Sequence, residues 1–281
     1  MIQLQNKPSS SGRQLDGRLS IVMPAYNESA SIASNLAEIV RTMNALHYDY
    51  EIVLVDDGSP DNTYLSGLKA KSRHPERIRI VRYDQNAGKG NALMIGTRYA
   101  TGPYVAFVDA DMDLHPAQLA DFIDILLDTN CDVVIGSKLH PQSQVIYPFI
   151  RRMYSSAYYG VVRMLFGLPV RDTQTGLKLF RRTVLQRVFP RILVKRFAFD
   201  IELLANAHRL GFRIVEAPIH LEFKRLTNRI NMKDVRDVLQ DTLAIFYRMH
   251  VVHYYDQLNH VDIADLPQPT GTREVVAAGR E

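Results

Sequence analysis

The chain has 281 residues, of which 46% are hydrophobic and 23% charged, with a formal net charge of +4 at pH 7. This length suffices for one large α/β domain or two small ones, and the modest basic excess suits anionic ligands, an anionic membrane surface or nucleic acid without choosing among them. One cysteine, Cys131, excludes an intrachain disulfide and a thiolate metal cluster, and it fits a reducing, cytoplasmic compartment.

Residues 1–17 are polar, lack the apolar stretch of a signal peptide and read as a flexible lead. "RLSIVMPA" then reads as a buried strand, and "ESASIASNLAEIVRTMNAL" carries apolar residues at helical spacing. "YEIVLVDDG" is a strand ending in acid and glycine, and "IRIVRYD" is a shorter one. "GKGNALMIGTRYA" opens a helix after glycines, "YVAFVDAD" is a strand, "PAQLADFIDILLDT" a helix, and "CDVVIGSK" another strand. Strands alternating with helices imply right-handed crossovers and a mainly parallel sheet covered on both faces, a Rossmann-like α/β fold. In such sheets ligands bind beyond the carboxyl ends of the strands. The unusual polar residues cluster there: Asn27 and Glu28, Asp56 and Asp57, Asp84, then Asp109, Asp111 and Asp113.

After residue 140 the alternation stops. Segment 145–168 reads as an aromatic, arginine-punctuated helix, "RDTQTGLKLFRR" as a polar turn leading into further structure, and "FAFDIELLANAHRLG" as a helix closed by Gly211. "RIVEAPIHLEF" reads as a strand placed at an edge or bulge by its proline, followed by the long amphipathic helix "MKDVRDVLQDTLAIFYRMHVVHYY". The expected organisation is the lead 1–17, one catalytic domain 18–255 with a ligand-binding half 18–138 and a second half 139–255, and a mobile tail 256–281. No run of about 18 apolar residues occurs, so no membrane-spanning helix is expected. No nucleic-acid motif is present.

Three stretches carry chemistry. In an extended strand Asp109 and Asp111 would point together and repel each other unless a cation sat between them. Mg²⁺ or Mn²⁺ takes carboxylates, waters and substrate phosphates. A solvated turn would explain a lone Asp-x-Asp equally well, but at the tip of a central strand the metal reading is favoured. Asp113 is divided between ligand contact and preparing the next helix. "NAGKGNA" is a glycine-rich turn opening a helix, where backbone N–H groups and Lys89 can meet phosphate. It is not a P-loop: position 83 is Tyr, and Gly90 follows the lysine. In "VDDGSPDNT", Asp57 could accept hydrogen bonds from a base or ribose, while Asp61 or Asn62 caps the next helix.

"IVMPAYNE", "VDDGSPDNT", "NAGKGNA" and "DAD", in this order, resemble the nucleotide-sugar-binding half of family 2 glycosyltransferases with the GT-A fold. "GSK", "DTQTGLKLF" and "FAFDIELL" are similar to segments of the polyprenyl-phosphate hexosyltransferases, the dolichyl-phosphate mannose and glucose synthases, and look closest to the glucosyl branch. The resemblance implies an inverting transfer of a hexose from UDP-glucose or GDP-mannose to polyprenyl phosphate, assisted by Mg²⁺ or Mn²⁺. It assigns Pro24, Tyr26, Glu28, Val55 and Asp57 to the nucleoside, Lys89 to the diphosphate, and Asp109 and Asp111 to the metal, with Ala110 between them and Asp113 beside them. Lys138 and Arg151 or Arg152, with Ser155 or Ser156 alongside, would receive the lipid phosphate. Many relatives have Arg where Lys138 stands, and lysine loses the bidentate geometry. In "RINMKDV", Lys233 alone matches a further family segment.

Asp200 matches the position where relatives with hydroxyl acceptors keep their base, but acids also favour a helix N-terminus, and the roles of Asp200 and Glu202 stay open. Asp172, Thr173 and Gln174 are candidates for sugar or phosphate contact against an ordinary polar turn. The helix 149–168 would lie in a membrane interface, with Phe149, Met153, Tyr158, Val162, Leu165 and Phe166 inward and arginines at head groups, or would serve as core or as a homo-oligomer contact. Two rival readings remain, a family 2 enzyme acting on a saccharide hydroxyl and a non-catalytic nucleotide-sugar-binding protein.

Overall fold

The computed structural model describes residues 15–145, 149–195, 198–221, 232–257 and 263–274; for 149–157 and 232–235 the description is of the backbone alone. The ligand-binding half alternates as expected. The strands are β1 (Leu19–Ala25), β2 (Tyr50–Asp56), β3 (Ile78–Arg82), β4 (Tyr104–Phe107) and β5 (Val133–Ser137). Between them lie α1 (Ile32–Ala45), α2 (Thr63–Arg73), α3 (Lys89–Tyr99) and α4 (Leu119–Thr129). The second half adds β6 (Gln144–Val145), α5 (Phe149–Phe166), β7 (Lys178–Arg181), α6 (Arg182–Val188), α7 (Phe199–Arg209), β8 (Ile214–Pro218), β9 (His220–Leu221), α8 (Met232–His250) and β10 (Arg273–Glu274).

Eight strands form one sheet in the order β10-β3-β2-β1-β4-β7-β5-β8, and β6 pairs with β9 apart from it. β1 is parallel to β2 and β4, β2 to β3, and β5 to β8. β7 runs antiparallel to both β4 and β5, wedged between them, and β10 runs antiparallel to β3. The sheet is therefore mainly parallel, as the alternation implies. The inserted β7 is not visible in that alternation, because its four residues directly follow a polar turn.

Period-2 alternation sends β residues to two cores. Ile21, Met23, Ile52 and Leu54 meet Leu36 and Ile39 of α1 and Phe122 of α4 on one face. Val22, Val53, Val55 and Phe107 meet Leu93 of α3, Leu203 of α7 and Ile245 of α8 on the other. β1, β2, β4 and β5 are buried along their whole length, which explains their near-continuous apolar sequences. Pro218 ends β8, an edge strand, where its missing N–H breaks no ladder.

Part of the expected tail packs onto this body. Arg209 pairs with Asp256, Ile263 is buried, Arg98 donates to the carbonyls of Ala264 and Leu266, and Glu274 pairs with Arg79 at 3.0 Å beside β3. Residues 258–262 and 275–281, and 1–14 of the lead, lie outside the described residues. Among the described residues no helix is long and apolar enough to cross a membrane.

α3 lies against β1 and β2 through Gly96. A Cβ there would stand 2.4 Å from Val22 Cγ1 and 2.9 Å from Val55 Cγ2. Alanine would raise helix propensity by about 1 kcal/mol. The overpacking cost of about 1–3 kcal/mol works against it, because both contacts are stiff β-branched side chains on a buried sheet. Gly96→Ala is therefore expected to lower the urea midpoint of unfolding; an equal or raised midpoint would show that the helix can shift without loss.

Candidate active site

The loops at the carboxyl ends of β1, β2, β3 and β4 face one cleft of about 940 Å³. Its lining includes Pro24, Tyr26, Glu28, Asp57, Asn86, Lys89, Asp109, Ala110 and Asp111, joined by Gln174 and Asp200 from the second half and Val238 of α8. The sequence motifs thus converge. Two smaller cavities adjoin it. One, of about 150 Å³, has Asp109, Asp111, Asp113, Lys138, Gln174 and Thr175 as its polar lining, against apolar residues that include Leu114, Ile219 and Leu221. The other, of about 50 Å³, lies between Lys138, Arg171 and Gln174 and the α5 residues Tyr158, Tyr159 and Val162. Lys138 is shared by the two small cavities, and Gln174 by all three.

The loop after β1 is held from outside. Asn27 N–H donates to Ser59 Oγ (3.1 Å), Glu28 N–H to Thr63 Oγ1 (2.8 Å) and Ser29 N–H to Asp61 (3.1 Å), while Asn27 takes a left-handed φ of 58°. Asp61 also accepts from the Thr63 amide, and although burial opposes ionisation, the hydrogen bonds from Thr63 and Ser29 hold its pKa at about 2. Asp61, rather than Asn62, therefore anchors the start of α2.

Asp57 is 3% exposed and its acceptor capacity is filled by its own chain. Oδ1 accepts from Tyr83 O–H (2.6 Å) and Ala87 N–H (2.7 Å), and Oδ2 from Asn86 Nδ2 (3.0 Å) and Gly88 N–H (3.1 Å). Four donors saturate a carboxylate, so Asp57 shapes the glycine-rich turn from beneath. Burial raises its pKa in spite of these bonds. Val55 does not contact the cleft with its side chain. It is fully buried in the core against α3, because β2 alternation points it there, so the nucleoside role assigned to it is corrected.

The aspartate triplet converges by a different geometry from the one expected. β4 ends at Phe107, so no strand carries these residues. Met112 N–H donates to the Asp109 carbonyl (3.2 Å) and Met112 adopts φ 55°, a tight turn that folds Asp109 and Asp111 toward the cleft. Asp109 Oδ1 lies 2.6 Å from Lys89 Nζ. Burial would raise its pKa, but Lys89 and, more remotely, Lys178 and Lys138 hold it below the usual carboxylate range. For Asp111 burial, then the Asp109 charge, raise the pKa, and the Asp113 amide donates to it at 3.2 Å. The helix-start role weighed for Asp113 falls to His115, whose Nδ1 accepts from Ala117 N–H (3.2 Å).

Among the described residues no three His, Cys, Asp or Glu side chains form a metal-binding group. A crowded pair with one elevated carboxyl group still suits a hard divalent ion whose remaining ligands are water and diphosphate oxygens, provided Lys89 turns from Asp109 to the diphosphate.

On the opposite wall Lys138 Nζ lies 3.2 Å from Asp172, which also accepts from the amides of Lys138 and Gln174 and from Thr175 O–H. Asp200 Oδ1 lies 2.7 Å from Lys178 Nζ. Glu202, by contrast, is fully buried away from the cleft and accepts from the Leu193 and Val194 amides, Arg248 and Tyr255. Arg151, Arg152, Ser155 and Ser156 lie on α5 and Lys233 on α8, with side chains outside the description. Lys178 escapes the sequence reading. Its signal is a single charge amid Leu177, Leu179 and Phe180, in a stretch otherwise fit for a buried strand.

A mainly parallel sheet, nucleotide-sized cleft and carboxylate turn after the fourth strand define a GT-A glycosyltransferase fold. The chain belongs to glycosyl transferase family 2, whose pattern matches residues 20–189. It is 32% identical over 216 residues to the dolichyl-phosphate beta-glucosyltransferase of Dictyostelium discoideum, covering 72% of this chain and 65% of that one. It is 33% identical over 220 residues to the protein of that name from Saccharomyces cerevisiae, covering 72% and 66%. The chain thus spans just under two thirds of these curated relatives. Among solved structures it is similar in fold to glucosyl-3-phosphoglycerate synthase from Mycobacterium tuberculosis with Mn²⁺, UDP-glucose and phosphoglyceric acid (TM-score 0.60, 19% identity, 85% of this chain and 80% of that one). It is also similar to a mannosyltransferase from Pyrobaculum calidifontis with GDP-mannose and Mn²⁺ (TM-score 0.57, 20% identity, 86% and 65%).

Asp57→Ala removes the common acceptor of the Ala87 and Gly88 amides. Exchange of both amides is expected to accelerate at least about tenfold, with an unfolding cost of about 2–4 kcal/mol for a lost buried network. Unchanged exchange, measured by NMR, would show that the turn holds its shape without Asp57.

Proposed function

We propose that the chain is an inverting glucosyltransferase that moves glucose from a nucleotide diphosphate, UDP-glucose above all, to a polyprenyl phosphate. The observation that carries this reading is the meeting of three cavities at Gln174. A nucleotide-sized cleft bearing Lys89 and the carboxylate turn opens there onto a small cavity, and both adjoin a basic recess beside α5. The names of the relatives favour glucose and a dolichyl-type acceptor.

In this reading Pro24, Tyr26 and Glu28 hold the nucleoside beside the turn that Asp57 shapes. Lys89 exchanges Asp109 for the diphosphate and offsets the charge that develops on it. Asp109 and Asp111 would hold Mg²⁺ or Mn²⁺, which supplies further stabilisation of that leaving group. Lys138 and Gln174, with Arg152 as a further candidate from α5, receive the acceptor phosphate. One of its oxygens forms a bond to the anomeric carbon as the bond to the diphosphate breaks on the opposite side, inverting the centre.

Asp200 separates the acceptor classes. A saccharide hydroxyl must lose a proton to a base, whereas the Asp200 carboxylate is engaged by Lys178. A phosphate monoester, with a second pKa near about 6, is already mostly ionised at neutral pH. The paired Asp200 therefore favours phosphate. Peripheral contact with a membrane fits the same reading, but not through the residues the sequence named: Val162 and Phe166 are buried in the core with Tyr158 and Leu165 packed against it, and the side chains of Phe149 and Met153 lie outside the description, whereas Val161 and Met164 of α5 and Leu243 and Tyr247 of α8 are exposed.

The test incubates the protein and Mg²⁺ or Mn²⁺ with labelled UDP-glucose, GDP-mannose or UDP-N-acetylglucosamine, with and without polyprenyl phosphate. Label is expected in the lipid fraction from UDP-glucose. Asp111→Asn is expected to lower kcat/KM by about 100-fold or more with an unchanged melting temperature. No lipid label from any donor would overturn the proposal.

A further inference from the structure

Because β7 runs against β4 and β5, its first residue lies at their carboxyl ends. Lys178 is in register with Phe107, the last residue of β4, and with Ile135 of β5. Its side chain is 2% exposed, yet Nζ stands 2.7 Å from the cleft carboxylate of Asp200 and donates to the Thr175 carbonyl. Burying an ammonium is unfavourable, and an apolar residue of similar volume commonly serves stability as well or better. Leu177, Leu179 and Phe180, all buried, show that the surroundings would accept one. A charge kept there points to what it touches: Asp200 lines the cleft, and Thr175 lines the small cavity that adjoins it.

We propose that Lys178 is a positioning residue for the transfer reaction, fixing the Asp200 carboxylate and pinning the loop Thr173–Gly176 through the Thr175 carbonyl. The inference rests on the transferase reading above. The loop matters for two reasons. It carries Gln174, which borders all three cavities. It also carries Gly176, packed so closely on Asp109 that a Cβ would fall 2.0 Å from Oδ2. A shift of the loop therefore moves both the junction and the first carboxylate of the turn. The nucleoside-facing residues Tyr26, Glu28 and Asn86 sit on other loops and are not displaced.

The experiment compares Lys178→Met, Asp200→Asn and the double variant with the wild type. It measures thermal melting, UDP affinity by calorimetry without divalent metal, and kcat and donor KM for lipid-linked product. Lys178→Met is expected to fold, to keep that metal-free UDP affinity within about threefold, and to lose about 100-fold or more in kcat. The double variant is expected within about threefold of Asp200→Asn, since residues acting as a unit are not additive. The proposal is overturned if Lys178→Met keeps kcat within about threefold, if the two losses multiply, or if UDP affinity falls by the same factor as kcat. Should Lys178→Met not fold, Lys178→Gln replaces it with the same expectations; failure of both to fold assigns Lys178 to stability and overturns the proposal. If the wild type transfers from no donor, the activity reading fails, and exchange of the Gln174 amide, which donates to Asp172, decides alone. An increase of about tenfold or more in Lys178→Met, with β1 amides unchanged, supports the pinning role, and an unchanged rate overturns it.

Discussion

The constraint on which the site depends is compensation of negative charge at one edge of a sheet. Asp109, Asp111, Asp113, Asp172 and Asp200 border a common set of cavities, and three lysines answer them: Lys89 on Asp109, Lys138 on Asp172, Lys178 on Asp200. Like charges on one edge repel, and each of these lysines offsets one of the carboxylates. The lysines come from the start of α3, the end of β5 and the start of β7. No segment can complete the edge alone. Asp111 is paired with none of these lysines, and its raised pKa follows from burial beside Asp109 and Asp113. The edge thus carries a local excess of negative charge that a cation bound with a diphosphate would relieve.

β7 is what joins the two halves. The ligand-binding half is a regular parallel unit, and β5 belongs to it by sequence, yet β4 and β5 do not touch. The antiparallel β7 pairs with both, placing the Asp172–Gly176 turn against the carboxylate turn after β4. Both turns are therefore mounted on the same three strands, and their spacing is set by backbone ladders rather than by a hinge between domains.

This architecture also explains what could be read in advance. Strands β1, β2, β4 and β5 are buried on both faces, so their apolar runs and the polar residues that follow them are strong local signals, and most cleft residues from Pro24 to Asp111 follow from them. Other features could not be read from the sequence pattern. The aspartate turn depends on Met112 in a left-handed conformation, which spacing cannot reveal, so alternation was a mistaken route to a correct convergence. Asp57 looked free to bind a ligand because its donors, Tyr83 to Gly88, arrive from about thirty residues away. Lys178 looked like one charge in an unremarkable strand until that strand was seen to run backwards into the sheet. The segment 263–274 read as a tail because its composition is polar, but arginines 79 and 98 on the body supply partners for it.

The same arrangement bears on the proposed ionised acceptor. Both aspartates on the second wall are already engaged: Asp172 by Lys138 and the turn it caps, and Asp200 by Lys178. On this wall the carboxylates of Asp172 and Asp200 thus face lysines within the protein, whereas Asp111 across the junction faces none. An acceptor that arrives already ionised suits such a wall, because its demand is for cations and donors in place, and Lys138 and the Gln174 side chain border the cavities where it would lie.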